Sequence, residues 1–250
     1  MFAPHYAAPE LCACAAASVM LREGPAEDAV AVSQLAHGEV FAVVDVSGGW
    51  AWGYGMHDRY VGYVPSAALG STAAATHVVT SSIAPVFAQA DIKAPVVGSY
   101  AIGTRLAGNA TGAFIAAGGG YLHHRHVTPV EGLTGDPVTL AERLAGAPYL
   151  WGGRGDGGID CSGLVQRVLG LCGIAAPRDS DQQRALGQEI AADAPLRRGD
   201  IILFPGHVGL MVDGERLIHA NAHWMAVTIE PLAEVVARGA EIVARRRIMA

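Results

Sequence analysis

The chain has 250 residues, of which 51% are apolar and only 16% are charged, so we expect packed cores rather than extended disorder. Its net charge of −6 at pH 7 excludes nucleic acid or an anionic membrane surface as the main partner. A chain of this length can hold one large domain or two to three small ones.

The first apolar segment, residues 11–21, has the length of a signal-peptide core, but no Lys or Arg precedes it. It is also far shorter than the roughly 20 residues of a membrane span. We therefore predict no export signal, although a secreted relative trimmed of its signal would look the same. The four cysteines, of which Cys12 and Cys14 are too close for an easy mutual bridge, favour a reducing, cytoplasmic bacterial setting.

Two regions share one order of short segments: an apolar strand, a glycine turn, an aromatic strand and a valine–proline exit. The order is clear in residues 18–69 and returns more faintly in residues 76–130. Short strands rich in β-branched and aromatic residues are typical of small β-barrels. We predict two SH3-like barrels, the first in residues 1–70 with an N-terminal extension and the second in residues 71–130.

From residue 136 onward the pattern changes. Apolar residues recur at helical spacing through residues 161–172, and Gly173 is the predicted stop. Three strand candidates follow, at 201–204, 208–212 and 216–220. A helix followed by antiparallel strands is typical of an α+β domain, which we assign to residues 131–250.

Cys161 is the candidate nucleophile of this third domain. Asp160 is a natural N-cap residue, which places Cys161 at the first helical position. There the unpaired backbone N–H groups and the helix dipole favour a thiolate and can contribute to an oxyanion hole. For this segment alone, a buried and inert cysteine at the start of a core helix is an equally open alternative.

Two histidines follow on neighbouring predicted strands: His207 lies 46 residues after Cys161 (207 − 161) and His219 another 12 (219 − 207). A thiolate shares its proton with an imidazole, and a third group fixes the tautomer of that imidazole. In an antiparallel hairpin the numbers of paired residues have a constant sum, and side chains alternate between the two faces of each strand. A sum of 428 pairs Gly209 with His219 and places His207 and His219 on the same face. We therefore predict an odd-length loop, or a bulged two-residue turn, around Gly214.

Five separated motifs then occur in order: Pro148 to Gly153, Gly158 to Gln166, Pro177 to Ser180, Gly199 to Ile201 and His207 to Gly209. Together they resemble the NlpC/P60 family of cysteine peptidases. The preceding barrels resemble bacterial SH3 domains, and the combination resembles the dipeptidyl-peptidase VI-like subgroup. The resemblance implies an α+β, papain-like catalytic domain preceded by two SH3-like β-barrels. It also implies an endopeptidase that needs no cofactor and cuts the γ-D-glutamyl–diamino acid bond of murein peptides with a free N-terminal L-alanine.

The same resemblance implies roles for individual residues. The catalytic residues are Cys161, His207, His219 and, on the oxyanion side, Tyr149. The free amine of the substrate is expected at Glu39, Tyr60 and Asp160, although Arg59 stands where a small residue is usual. The pocket for the D-glutamyl portion is expected to contain Trp151, Ser162, Arg178, Asp179 and Ser180. These residue types fit the ligand, because an ammonium is bound by carboxylates and a carboxylate by arginine or hydroxyl donors.

Alternative functions stay open at this point. Cys161, His207 and His219 could ligate zinc with an open fourth position, or the chain could be a non-catalytic wall-binding protein. A dinucleotide site at residues 153–158 is not predicted, because no strand precedes these glycines. A metal site at His123, His124 and His126 is not predicted either, since exposed histidines at a barrel exit are ordinary. The diamino acid, the choice between free peptides and intact wall, and the oligomeric state are left open.

Overall fold

The structure, a computed structural model, describes residues 8–248. Its first part is one antiparallel sheet in the order β3-β2-β6-β5-β4-β1-β7. The seven strands are β1 (Glu10–Cys14), β2 (Ser18–Arg22), β3 (Ala31–Ala36), β4 (Val40–Ser47), β5 (Trp50–Gly55), β6 (Val61–Pro65) and β7 (Leu69–Gly70), with a 3-10 turn at Ser66–Ala68. The apolar segment 11–21 supplies parts of β1 and β2, and the sheet closes over a small core centred on Phe41.

The second part consists of two antiparallel sheets, in the orders β10-β9-β14-β13-β12 and β11-β8-β15. The strands are β8 (His77–Val79), β9 (Ile83–Phe87), β10 (Val96–Ala101), β11 (Arg105–Leu106), β12 (Asn109–Thr111), β13 (Phe114–Ala117), β14 (Gly120–His123) and β15 (Val127–Pro129). Short 3-10 turns occupy His124–His126 and Val130–Gly132. Apolar residues from both sheets, among them Val86, Leu106 and Leu122, form its core.

The third part packs helices against a six-stranded antiparallel sheet in the order β16-β21-β17-β18-β19-β20. Its helices are α1 (Pro137–Glu142), α2 (Cys161–Leu171), α3 (Ser180–Gln183) and α4 (Leu232–Ala237). Its strands are β16 (Gln188–Glu189), β17 (Ile201–Phe204), β18 (His207–Met211), β19 (Arg216–Asn221), β20 (Ala226–Pro231) and β21 (Ala244–Arg247). Helix α2 is buried along almost its whole length against β18 and β19, which makes it the central element of the largest core. No helix among the described residues is long and apolar enough to cross a bilayer.

Buried polar contacts join the three parts. The Gln34 side chain of β3 accepts from the backbone N–H of Arg154 at 2.9 Å and donates to the carbonyl of Asp156 at 2.9 Å. Arg143, just after α1, donates to the Thr80 carbonyl of the second part at 2.8 Å. Because a buried polar group without a partner is destabilising, the Gln34 contacts hold the first barrel against the loop before α2, and the Arg143 contact holds the second part against the end of α1.

The hairpin of β18 and β19 has the register predicted from the requirement that His207 and His219 lie on one face of the sheet. Leu210 pairs with Ile218 and Met211 with Leu217, so the residue numbers sum to 428. The N–H of Val212 bonds to the Arg216 carbonyl at 2.8 Å, which leaves an odd loop of three residues, 213–215. The predicted odd-length loop is therefore confirmed, and His207 and His219 lie on the same face.

Candidate active site

The start of helix α2 holds Cys161 in a buried position. The Asp160 carboxylate caps the helix by accepting from the backbone N–H of Gly163 at 2.7 Å. Burial, reinforced by the negative charge of Asp160, raises the pKa of Cys161 to about 11, although backbone N–H groups of Val208 and Ser162 donate toward the sulfur. Burial and Asp160 therefore oppose the thiolate that the backbone N–H groups at the helix start favour. The thiol needs a base close by.

The predicted base is His207, which directly precedes Val208, the residue whose backbone N–H donates toward the Cys161 sulfur. The side-chain nitrogens His207 Nε2 and His219 Nδ1 lie 2.7 Å apart, as the shared face requires. Burial, together with the neighbouring His219, lowers the pKa of His207 to about 4, and burial also lowers the pKa of His219. Both imidazoles are therefore neutral near pH 7, and His207 can accept a proton.

The structure adds a residue that the sequence analysis missed. Glu230 of β20 accepts a hydrogen bond from His219 Nε2 at 2.7 Å, and its other oxygen is 2.8 Å from Arg238 Nη2. Sequence reasoning did not predict β20, so nothing indicated that Glu230 would lie beside a histidine. The alternation of apolar and polar residues through 227–230 indicates a strand, but it places Glu230 on the solvent-facing side, whereas Glu230 is only 8% exposed.

Tyr149 lies close enough to Cys161 for their charges to interact. Burial, followed by the negative fields of Cys161 and Asp160, raises the pKa of Tyr149 to about 12. The phenol therefore stays protonated at all ordinary pH values. A protonated hydroxyl can donate to an oxyanion, so the oxyanion role predicted for Tyr149 stays a prediction.

A cavity of about 170 Å³ opens onto Cys161, between the first barrel and the third part of the chain. It contains seven of the eight predicted substrate-binding residues: Tyr60, Trp151, Asp160, Ser162, Arg178, Asp179 and Ser180. Val32 and Tyr60 of the first barrel close one side of it. Larger cavities elsewhere contain none of the predicted catalytic residues, so this small one is the candidate active site.

Glu39, the eighth residue, corrects one expectation. Its carboxylate does not line this cavity, is 5% exposed, and is shared by Arg154 at 2.7 Å and Arg167 at 2.7 Å. Burial alone would raise the pKa of Glu39, but the two arginines hold it well below its usual range. The assignment of Glu39 to the substrate's amine is wrong, because both of its oxygens already join the first barrel to helix α2 and the loop before it.

Asp160 lines the cavity, but all of its carboxylate acceptor sites already receive hydrogen bonds. It accepts from the backbone N–H groups of Gly152 at 2.8 Å and Gly163, from the Ser162 hydroxyl at 3.4 Å, and twice from the Arg178 guanidinium. A carboxylate offers about four lone-pair sites. Asp160 therefore lines the cavity, as predicted, and holds Arg178 in its wall, while its role as an amine ligand stays a prediction.

Asp179 is the acidic side chain of the cavity that keeps free acceptor capacity. Among the described residues, its carboxylate accepts only from the Tyr60 hydroxyl, at 3.1 Å. Burial raises the pKa of Asp179, and the Tyr60 hydrogen bond and Arg178 oppose that effect. The charged side chains of the cavity wall are Asp160, Asp179 and Arg178, so the net charge of the wall is −1. The cavity is therefore suited to a ligand with a cationic end beside Asp179.

The other histidine cluster shows no such organisation. The rings of His123 and His124 have centroids 4.6 Å apart, and those of His123 and His126 are 6.0 Å apart. Throughout residues 8–248, no three His, Cys, Asp or Glu side chains are grouped as metal ligands would be. His219 in particular has both nitrogens occupied, by His207 and Glu230.

Two segments match known families: residues 146–246 match the NlpC/P60 family, and residues 21–69 match the bacterial dipeptidyl-peptidase Sh3 domain. A probable endopeptidase of Mycobacterium tuberculosis is 32% identical over 108 residues, which are 41% of this chain and 28% of that protein. The gamma-D-glutamyl-L-lysine dipeptidyl-peptidase of Bacillus subtilis is 30% identical over 118 residues, 44% of this chain and 40% of that protein. The chain thus spans less than half the length of either relative.

The whole fold also has a counterpart among solved structures. A crystal structure of an NlpC/P60 family protein from Bacillus cereus matches 96% of this chain and 100% of its own, with a TM-score of 0.82 and 20% sequence identity. At this identity the match concerns the fold alone. The predicted α+β fold, with SH3-like structure before an NlpC/P60 catalytic domain, is confirmed.

Proposed function

We propose that this chain, in which residues 146–246 match the NlpC/P60 family, is a cysteine endopeptidase for short cell-wall peptides. The bond cut is the one between γ-D-glutamate and a diamino acid, in peptides with a free N-terminal L-alanine. The observation that carries the proposal is the cavity in which Cys161, Arg178 and the Tyr60–Asp179 pair lie together. The Bacillus subtilis relative is named for the same type of bond.

The proposed reaction begins with Cys161. Its sulfur attacks the γ-carbonyl carbon while His207 takes the thiol proton. The Cys161 backbone N–H and the Tyr149 hydroxyl donate to the oxyanion. His207 then protonates the amine of the diamino acid as it leaves, and water hydrolyses the thioester with His207 as base.

The walls of the cavity account for the rest of the substrate. Arg178 uses four of its five N–H donors on Ser33, Asp160 and Ser162, which leaves one for the α-carboxylate of D-glutamate. The Ser180 hydroxyl also faces this space. The L-alanine ammonium would lie against the Asp179 carboxylate. Because the first barrel closes the cavity behind Tyr60, it favours a short peptide that ends there over an internal stretch of a longer chain.

A zinc hydrolase is the second candidate, and the contacts of His219 weigh against it. Zinc binds a histidine nitrogen through its lone pair. His219 hydrogen-bonds His207 through one nitrogen and Glu230 through the other, so neither is free for a metal. A cytoplasmic location and the lack of a cofactor stay predictions from the sequence.

The proposal is tested by digesting L-Ala-γ-D-Glu-L-Lys and its diaminopimelate analogue beside their N-acetylated forms. Loss of a charge-assisted hydrogen bond costs about 1.5–3 kcal/mol, so kcat/KM should fall about ten- to hundredfold on acetylation. Asp179→Asn should remove most of this preference. Asp181→Asn, two residues away on the exposed side of α3, is the matched control and should retain it. Equal turnover of blocked and free peptides by the wild type would contradict the proposed amine site.

A further inference from the structure

Both ring nitrogens of the buried His219 are used, and their partners differ in chemistry. Nδ1 faces another imidazole, His207 Nε2, at 2.7 Å, which can donate or accept. Nε2 faces the Glu230 carboxylate at 2.7 Å, which when ionised can only accept. His219 is 2% exposed, so water does not offer it other partners.

Glu230 is held ionised by a set of donors. Burial alone would raise its pKa, but hydrogen bonds from His219, Arg238 and Trp224 lower it. The Arg238 guanidinium contacts Oε2 at 2.8 Å, and the Trp224 indole N–H reaches the same oxygen at 3.4 Å. Oε1 is left for His219. A carboxylate in this position requires a proton on the nitrogen that faces it.

A proton on His219 Nε2 determines which nitrogen is protonated in His219 and, through their hydrogen bond, in His207. If Nε2 of neutral His219 carries the proton, its Nδ1 must accept. His207 must then donate through Nε2, and its Nδ1 is left unprotonated as the base for Cys161. We propose that Glu230 is a positioning residue of this site: it sets the tautomers of His219 and His207 so that His207 offers a lone pair to Cys161. This inference rests on the proposed cysteine mechanism and deepens it.

Replacing Glu230 by glutamine gives a sharp test, because Arg238 and Trp224 both donate to Oε2. The amide oxygen of the glutamine should stay with these two donors, which turns its NH₂ group toward His219 Nε2. His219 must then accept there and carry its proton on Nδ1. His207 is forced to accept through Nε2 and to hold its proton on Nδ1, the nitrogen needed as base.

The expected effect of Glu230→Gln is therefore a loss in kcat with little change in KM. Reversing the tautomer in a Ser-His-Asp triad lowers kcat by about 10⁴-fold, and Glu230 is one imidazole further from the nucleophile, so we expect about a hundred- to thousandfold. Glu142→Gln is the matched control, since Glu142 also pairs with an arginine, Arg198, but on the surface at 3.0 Å. It should retain wild-type kcat.

A second variant separates tautomer control from a simple loss of structure. In Glu230→Gln/Arg238→Met the strong donor to Oε2 is gone, so the amide can rotate and present its oxygen to His219. This double variant should recover at least about tenfold of the kcat that Glu230→Gln loses, if the tautomer is the cause. If the loss of kcat in Glu230→Gln has a structural cause, kcat should fall further in the double variant, because the contact between positions 230 and 238 is also removed.

Two further readouts do not depend on the substrate. Nitrogen-15 NMR of labelled histidine should show His219 protonated at Nε2 in the wild type and at Nδ1 in Glu230→Gln. Iodoacetamide should alkylate Cys161 more slowly in Glu230→Gln at neutral pH. Around His219 the charged and titratable groups are His207 on β18, Glu230 on β20 and Arg238 after α4. The pH dependence of alkylation should shift in Glu230→Gln and not in Glu142→Gln.

The inference is overturned if Glu230→Gln, with an unchanged melting temperature, keeps its kcat or keeps His219 protonated at Nε2. It is also overturned if the double variant is no better than Glu230→Gln. Failure of the proposed function looks different: the wild type would leave all γ-D-glutamyl peptides intact, while the NMR and alkylation results would still decide the role of Glu230.

Discussion

Glu39 offers the strongest test of how the first barrel is attached to the catalytic domain. Its buried carboxylate accepts from Arg154 at 2.7 and 3.3 Å, from Arg167 at 2.7 Å, and from the backbone N–H of Ala36 at 3.0 Å. Glu39→Gln keeps the shape but removes the charge, which leaves two buried guanidinium groups without a counterion. Burial and the charge of Arg154 already lower the pKa of Arg167 to about 10 with Glu39 present.

Breaking a buried ion pair by removing one partner costs about 3–5 kcal/mol. We therefore expect Glu39→Gln to lower the free energy of unfolding by at least that amount, measured by urea denaturation followed through tryptophan fluorescence. Glu142→Gln removes a carboxylate from a surface arginine pair and should cost less than about 1 kcal/mol. The pH dependence has a definite sign: the depressed pKa of Glu39 contributes stability above pH 4.5 that is lost as pH falls toward its folded-state pKa.

The same variant distinguishes attachment from substrate binding. If Glu39 joins the parts of the chain, the ratio of kcat/KM for free and N-acetylated peptides should stay at its wild-type value in Glu39→Gln protein that is still folded. Wild-type stability combined with a lost preference for the free amine would refute this reasoning. It would return Glu39 to the substrate-binding residues.

Two further predictions concern the histidine pair. A Cβ at Gly209 would lie 2.9 Å from the Cβ of His219 and 3.0 Å from the Ile218 carbonyl, so Gly209→Ala should displace His219 and lower kcat more than it changes KM. Gly214→Ala, in the loop of the same hairpin, is the control. Equal kcat values for the two variants would contradict this prediction. Burial, and then the neighbouring His219, lowers the pKa of His207 from 6.5 to about 4. As pH falls from 6.5 to 4, the unfolded chain therefore binds a proton at His207 that the folded chain does not, and the free energy of unfolding declines. At about 1.36 kcal/mol per pH unit this group contributes a decline of about 3 kcal/mol. Denaturant melts at pH 7 and pH 4 should show a total decline that is smaller by about this amount in His207→Asn than in the wild type.

The hairpin shows what a sequence can establish about this site. The requirement that His207 and His219 share a face, combined with the two-residue period of a strand, was sufficient to predict the pairing of Gly209 with His219. The residues of the cavity wall came instead from the resemblance of residues 148–163 and 177–180 to NlpC/P60 motifs, and Trp151, Ser162 and Arg178 do line the cavity. Only the hairpin register followed from local geometry.

The errors concern pairings between distant residues. Glu39 was assigned by its place in a motif, but its arginine partners lie 115 and 128 residues away, and only the packing of the first barrel on α2 brings them together. The contact of Asp160 with Arg178, 18 residues further along the chain, was likewise not predictable from the motif that contains Asp160. Glu230 was missed because β20 has no marked apolar run and its role depends on a diagonal contact across two strands.

In the proposed reaction Cys161 is the nucleophile that cuts the γ-D-glutamyl–diamino acid bond. Mass spectrometry of L-Ala-γ-D-Glu-diaminopimelate incubated with wild-type and Cys161→Ala protein tests it most directly. We expect the wild type to release L-Ala-γ-D-Glu at the same rate with and without EDTA, and to lose activity after iodoacetamide treatment. Cys161→Ala should fold normally and release nothing. Product release by Cys161→Ala, or activity that EDTA abolishes and zinc restores, would contradict the account.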